Sequence, residues 1–236
     1  MKPSSNKVPR HVGVVLDGNR RFAKRLMLKP WKGHEWGVKK VEALFEWARE
    51  LGIEELTLYA FSIENFDRPK REFDYLMKIF KEAVNKLMKD SRLDKYGIRV
   101  NFIGRIHMFP DDVQILMKRL MGITRNNKNY IINFAMAYGG RAEVIDAVRK
   151  IAEQVKNKRL KIEEINEGVF KDSLYNASDV DLIIRTGGEK RTSGFLPWQG
   201  VYAELIFLDK MWPEMEKEDF VECIEEFSRR QRRFGR

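Results

Sequence analysis

The sequence predicts an α/β fold, a single domain with a central, mostly parallel six-stranded sheet flanked by helices. Three observations carry that reading. Short apolar segments bounded by Gly, Asp or Asn recur along the chain, amphipathic stretches with helical spacing lie between them, and no linker, low-complexity tract or internal repeat interrupts the alternation. Alternating strands and helices make βαβ units. Apolar runs without a polar break belong to strands covered on both faces, as in a parallel sheet.

The strand segments are residues 12–16, 56–61, 98–103, 130–135, 180–184 and 203–208, several of them rich in β-branched side chains. Between the first two, residues 38–51 place Val38, Val41, Leu44, Phe45 and Ala48 on one stripe, and Gly52 stops the helix. Residues 72–88 repeat the pattern through Leu76, Ile79, Phe80, Ala83 and Leu87. Residues 111–121 start a helix with two acids after Pro110, residues 141–155 follow a Gly-Gly pair, and residues 216–227 form a late helix. The Lys-rich run 156–161 reads as a solvated loop. The domain spans residues 1–236, with 1–9 as a flexible N-terminus and 229–236 as a basic tail.

Composition narrows the function. A chain of 236 residues that is 43% hydrophobic can bury a sizeable core, which excludes a disordered or collagen-like polymer. Cys223 is the one cysteine, so no intrachain disulfide forms and a reducing, cytoplasmic setting is expected. The first residues show no secretory leader, and no apolar run is long enough to span a bilayer. A net charge of +10 attracts anions: nucleic acid, an acidic membrane face or a phosphorylated small substrate. Composition does not choose among these.

Segments at strand ends carry the chemistry. Asp17-Gly18-Asn19-Arg20-Arg21-Phe22 follows the first strand, where open α/β sheets place ligands. Glycine lets backbone N–H groups approach an anion, and arginine forks match phosphate oxygens. Asp17 fits among these cations if a divalent metal bridges it to a phosphate. The same segment also reads as a helix N-cap followed by a basic solvated face. Ser62, Asn65 and Arg68 sit beside aromatics after the second strand, as in a water-poor pocket or an ordinary capped turn. Arg185, a Gly pair, Arg191, Thr192 and Ser193 form a second phosphate-grade loop. Two anion sites on one sheet edge point to a transferase joining two phosphorylated substrates. Glu204 opens an apolar strand, where an acid is costly unless paired or metal-bound. No GxGxxG follows the first strand, no GxxxxGK[ST] occurs, and Asp111-Asp112 does not extend into an aspartate-rich metal motif. No RRM, KH or helix-turn-helix signature accompanies the charge, so nucleic acid is not an expected partner.

Taken together, HVGVVLDGNRRFAK (11–24), Gly33-His34, LTLYAFSIENFDRP (56–69), AYGGR (137–141), DLIIRTGGE (181–189), LPWQGVYAEL (196–205) and the terminal Arg233-x-Gly235 resemble the cis-prenyltransferases, the undecaprenyl and dehydrodolichyl diphosphate synthases. The paired arginines and SIENF lean towards the archaeal or eukaryotic branch. The resemblance implies a homodimeric domain with a hydrophobic tunnel beside the sheet. It implies Mg²⁺-dependent, repeated condensation of isopentenyl diphosphate with an allylic diphosphate such as farnesyl or geranylgeranyl diphosphate. The product would be a Z-polyprenyl diphosphate, a precursor of a lipid glycan carrier whose length implies transient membrane association. Asp17 would hold Mg²⁺, with Glu204 completing the metal site. Gly18, Asn19, Arg20, Arg21, Phe22, His34 and Arg68 would receive the allylic diphosphate together with the segment Ser62, Ile63, Glu64 and Phe66. Ser62 and Asn65 would sit where the bond forms, Asn65 orienting rather than taking the proton because a neutral amide is a poor base. Arg185, Arg191, Thr192 and Ser193 would bind isopentenyl diphosphate, and Arg233 with Gly235 would reach the diphosphate in a second subunit. Four positions depart from the pattern: Pro30 replaces a frequent Arg, Phe22 a Trp, Gly194 an Asn and Pro197 a Leu.

Overall fold

A computed structural model describes residues 8–230. Six strands lie in the order β3-β4-β2-β1-β5-β6, and every neighbouring pair is parallel. They are β1 (His11–Val15), β2 (Glu55–Ser62), β3 (Ile98–Ile103), β4 (Tyr130–Tyr138), β5 (Leu182–Arg185) and β6 (Glu204–Phe207). The helices are α1 (Asn19–Arg25), α2 (Gly33–Glu50), α3 (Lys70–Leu87), α4 (Arg92–Lys95), α5 (Asp111–Thr124), α6 (Gly140–Lys156), α7 (Glu167–Ser173) and α8 (Lys217–Arg229). β1 is central, with β2 on one side and β5 on the other, so the order of the strands reverses beside it. The carboxyl edge at that reversal is where a parallel sheet opens a crevice.

The two faces of the sheet differ. Val12 and Val14, Leu56 and Leu58, and Leu182 and Ile184 pack with Leu44 of α2 and Phe220 and Ile224 of α8. On the same face, Val100, Phe102, Ile132 and Met136 meet α3 and α5 through Leu76, Val84, Val113 and Met117. The opposite face is not uniformly apolar. A polar ladder crosses four strands there: His11 Nε2 bonds Thr57 Oγ1 at 2.8 Å, Asn133 Nδ2 reaches Thr57 Oγ1 at 3.0 Å and Glu55 Oε1 at 2.7 Å, and Asn101 Nδ2 donates to Asn133 Oδ1 at 2.8 Å. Burial holds the His11 imidazole below its usual range, so the ladder is built on a neutral ring. Each buried polar group needs such a partner.

The sequence places the strands well and the helix starts less well. β4 runs three residues past its expected end, and α2 begins five residues early, at Gly33. A Cβ on Gly33 would lie 1.9 Å from Asn19 O, and one on Gly37 would lie 2.3 Å from Asn19 Oδ1. These glycines let the first turns of α2 press against the loop after β1. Read as breakers, they hide the helix. Register shifts on either side of Phe61 break the β2–β4 ladder just before its last pair, Ser62 with Tyr138, and Ser62 borders the crevice. At the chain ends, Val8 packs against the core and Pro9 is buried, whereas residues 1–7 of the expected flexible terminus lie outside the described residues.

Candidate active site

Three strand ends meet at the carboxyl edge: β1 delivers Asp17, β2 delivers Ser62 and β5 delivers Arg185. Asp17 Oδ2 accepts from Arg185 Nη2 at 2.9 Å, and Oδ1 accepts from Gly18 N at 2.6 Å and faces Arg21 Nη2 at 3.2 Å. The Arg185 side chain is only 6% exposed. Its Nη1 donates to Arg191 O at 2.6 Å and to Ser193 Oγ at 2.7 Å, while its Nε is buried with no partner among the described residues. The β1 and β5 loops are latched by Thr186, whose Oγ1 accepts from Asp17 N at 3.1 Å and donates to Asp17 O at 2.8 Å. Gly187 has φ +88°, and a Cβ there would meet Arg21 Nη2 at 2.6 Å. Only glycine lets these loops close so near.

Cations gather beside Asp17. Gly18, Asn19, Arg20, Arg21, His34 and Arg68 line a polar mouth of about 350 Å³. Glu72, 2% exposed, holds the arginines in place: it accepts from Arg68 Nη1 at 3.0 Å and lies 3.5 Å from Arg20 Nε. Arg68 Nη1 also sits 3.3 Å from His34 Nε2. Burial, then the charges of Arg68 and Arg20, push the His34 pKa down to about 3, so its ring is neutral and accepts from Arg68. The first turn of α1 carries no acid to cancel its positive end.

The mouth opens into an apolar cavity of about 570 Å³, lined by Val38, Val41 and Phe45 of α2 and by Leu76, Phe80 and Ala83 of α3, over the sheet residues Phe102 and Phe134. Asp17, Asn19, His34 and Arg68 border both spaces, so they are one continuous site. Ser62, Glu64 and Asn65 stand at the polar end of the cavity, where Asn65 Oδ1 accepts from Ser62 N at 3.2 Å and fixes the turn. Such a site takes an amphiphile with an anionic head.

Not every expected residue reaches it. Ile63 lies against Gly139, and Phe66 packs edge-on against Phe61 and tilted against Phe109 at ring distances of 5.1 Å, so both support the site from the core side. Phe22 packs edge-on against Trp36. Arg191 points to Glu189 at 2.5 Å, and its carbonyl, not its guanidinium, touches Arg185. The Thr192 carbonyl accepts a turn bond from Phe195 N. Glu204 pairs with Leu182 at the amino end of β5 and binds Arg230 at 2.8 Å, whereas Asp17 lies past the carboxyl end of β1. One chain therefore does not bring Asp17 and Glu204 to one ion. Arg233 and Gly235 lie outside the described residues. Glu72 escapes a motif-based reading, although it follows Arg68 by one helical turn, the spacing at which an ion pair forms; Thr186 and Glu189 lie inside the DLIIRTGGE segment without being singled out there.

The fold and site define a class: an α/β transferase that holds an amphiphilic diphosphate between a cationic mouth and an apolar cavity. Comparison with known proteins gives the family. A family model described as "Putative undecaprenyl diphosphate synthase" matches residues 15–235. The tritrans,polycis-undecaprenyl-diphosphate synthase (geranylgeranyl-diphosphate specific) of Pyrococcus horikoshii is 49% identical over all of this chain and 90% of its own length. The protein of the same description from Methanopyrus kandleri is 45% identical over all of this chain and 88% of its own. The crystal structure of lavandulyl diphosphate synthase from Lavandula x intermedia, in complex with dimethylallyl diphosphate, superposes with a TM-score of 0.93 at 33% identity, over 97% of this chain and 99% of that one. The chain belongs to the undecaprenyl diphosphate synthase family of cis-prenyltransferases, in its archaeal type. It is a prenyl transferase, and its reaction is cis-prenyl chain elongation.

Proposed function

We propose that the chain condenses isopentenyl diphosphate repeatedly onto geranylgeranyl diphosphate, giving a Z-polyprenyl diphosphate of undecaprenyl length. The observation that carries this reading is the continuity of the arginine-lined mouth with the apolar cavity. The names of the Pyrococcus and Methanopyrus relatives support the primer and product. Arg20, Arg21 and Arg68 take the primer diphosphate, its prenyl tail lies between α2 and α3, and Arg185 with Ser193 takes isopentenyl diphosphate. Arg191 serves chiefly through its carbonyl, which fixes Arg185. The new carbon–carbon bond joins C4 of isopentenyl diphosphate to C1 of the primer as the C1–O bond breaks. The proton leaves C2 of the condensing unit to the departing diphosphate, with Asn65 and Ser62 orienting that unit.

Mg²⁺ fits this donor set. Among the described residues no group of three or more His, Cys, Asp or Glu gathers to hold a metal, and Mg²⁺ is commonly held by one or two carboxylates plus phosphate oxygens. Asp17 would be the protein ligand within this chain; when bound, Mg²⁺ would neutralise the charge that grows on the leaving diphosphate. Until an anion arrives, the Asp17 carboxylate keeps Arg185 and Arg21 aligned. Glu204 lies at the far end of the edge strand β6, so its metal role requires a second copy of the chain. Exposed Val201, Tyr202, Ile145 and Val148 support a homodimer. A single domain in the cytoplasm, joined transiently to the membrane by its long product, completes the reading; no helix among the described residues is long and apolar enough to cross a bilayer.

Labelled isopentenyl diphosphate, Mg²⁺ and a series of allylic primers test it. Geranylgeranyl diphosphate should give the highest kcat/KM and products whose added double bonds are all Z. Faster use of dimethylallyl diphosphate, or E products, would refute the assignment.

A further inference from the structure

We propose that the apolar tip that follows α1 docks the enzyme on an anionic lipid bilayer, beside the mouth through which its primer enters. Leu26, Met27 and Leu28 are 44%, 95% and 40% exposed in succession. Their backbone is unusual. The α1 helix closes with Met27 N bonded to Lys24 O and Leu28 N bonded to Ala23 O, the paired bonds of a Schellman stop. The residue at its left-handed position is Met27, with φ +56°, where glycine is the low-cost choice. A bulky apolar side chain has been set at a strained position and turned almost wholly to solvent. Neither helix stability nor the core explains it.

The flanking chemistry selects the occupant. Lys24, Arg25, Lys29 and Lys32 flank the tip in sequence. Arg25 pairs with Glu214 and Lys32 with Glu35, while Lys24 and Lys29 are exposed. Lys29 Nζ lies 5.6 Å from the Trp31 ring, and the half-exposed Trp36 packs on Phe22 of α1. Apolar side chains flanked by cations and indoles suit the boundary between acyl chains and acidic headgroups. A second copy of the chain is the poorer partner, because a two-fold contact through the tip would set like charges together. Ile115 on α5, 63% exposed, is an apolar side chain outside this segment.

Docking here has a consequence for supply. The seven residues of α1 span about 10 Å and carry Arg20 and Arg21, so the tip lies one short helix from the mouth. An amphiphilic diphosphate resting in the bilayer surface would meet its cations directly. This deepens the membrane association proposed above and depends on it for its meaning, but binding to lipid is measured without turnover, so the two readings fail separately.

Sedimentation with vesicles of phosphatidylcholine mixed with phosphatidylglycerol tests the proposal. Wild-type protein should sediment with them, less in high salt, and little with phosphatidylcholine alone. The triple variant Leu26→Ser, Met27→Ser, Leu28→Ser should partition about tenfold less or weaker, while Ile115→Ser matches wild type. Met27→Gly separates binding from folding: it should raise the melting temperature by releasing the left-handed strain yet lower vesicle binding. The proposal is overturned if wild type ignores anionic vesicles, or if the triple variant or Met27→Gly binds them as well as wild type does. Dissociation of a dimer by the triple variant, seen in light scattering, would assign the tip to a second copy instead and equally overturn it.

Discussion

Asp17 faces two arginines and a backbone N–H in the space of one carboxylate, and that crowding defines its role. Asp17→Ala should lower kcat by orders of magnitude while circular dichroism and melting stay near wild type, since loss of a loop acid opens no core cavity. Near-normal elongation by that variant would remove Asp17 from the metal site. Glu72 is the residue that motif reading takes for a plain helix start. Buried at 2% exposure between Arg20 and Arg68, it sets the geometry of the mouth. Glu72→Gln should raise KM for the primer more than KM for isopentenyl diphosphate and destabilise the fold by about 1–3 kcal/mol, because Arg68 loses its counter-charge. Equal effects on both substrates would contradict that role. His34 carries a pH signature. Its pKa falls from 6.5 to about 3 on folding, so below pH 6.5 the unfolded chain takes up a proton that the folded chain refuses. Stability is full above 6.5 and declines as pH falls towards 3. Denaturant titrations across that window should show a shallower decline for His34→Asn; an unchanged slope would show that the ring is not buried as described.

At the scale of elements, the strand ends explain what was legible in the sequence. β3 matches its expected bounds, residue for residue, because the alternation of Ile98, Val100 and Phe102 is closed by Gly97 on one side and Gly104 on the other. The Asp17 and Arg185 segments announce themselves through glycine and arginine at the end of apolar runs, and the Ser62 segment through short polar residues beside aromatics. α1 and α7, at seven residues each, are too short for periodicity to show, and the early start of α2 hides behind glycines used for close approach rather than as breaks. Glu204 illustrates the limit of motif transfer: it opens β6, and in an all-parallel sheet the first residue of a strand lies at the edge opposite Asp17, which follows the end of β1. The two arginine sets belong to different loops, and kinetics should separate them. Arg185→Ala should mainly raise KM for isopentenyl diphosphate, and Arg21→Ala and Arg68→Ala should mainly raise that for the primer. Arg191→Ala should be milder than Arg185→Ala, because the carbonyl that holds Arg185 survives the substitution. Interchangeable effects in steady-state kinetics would dissolve the two-site assignment.

At the scale of the whole molecule, a parallel sheet places its loops at one edge while α2 and α3 lean over the same face to leave a cavity that the core does not fill. A protein interior is normally packed to the density of an organic crystal, so an apolar space of about 570 Å³ joined to a cationic mouth is retained for a ligand. The polar ladder on the other face, from His11 to Asn101, fixes strand register without entering the site. Part of the charge of +10, which on its own pointed equally to nucleic acid, membrane or phosphate, is a local cluster of Arg20, Arg21, Lys24 and Arg68 that lines the mouth of this cavity. The most direct measurement is a crystal structure of the chain with a thio-linked, unreactive geranylgeranyl diphosphate analogue and Mg²⁺. The account predicts the diphosphate among Arg20, Arg21 and Arg68 beside Asp17, with the prenyl tail between α2 and α3 against Phe45 and Phe80. A diphosphate bound at another edge of the sheet, or a tail lying outside an empty cavity, would contradict it.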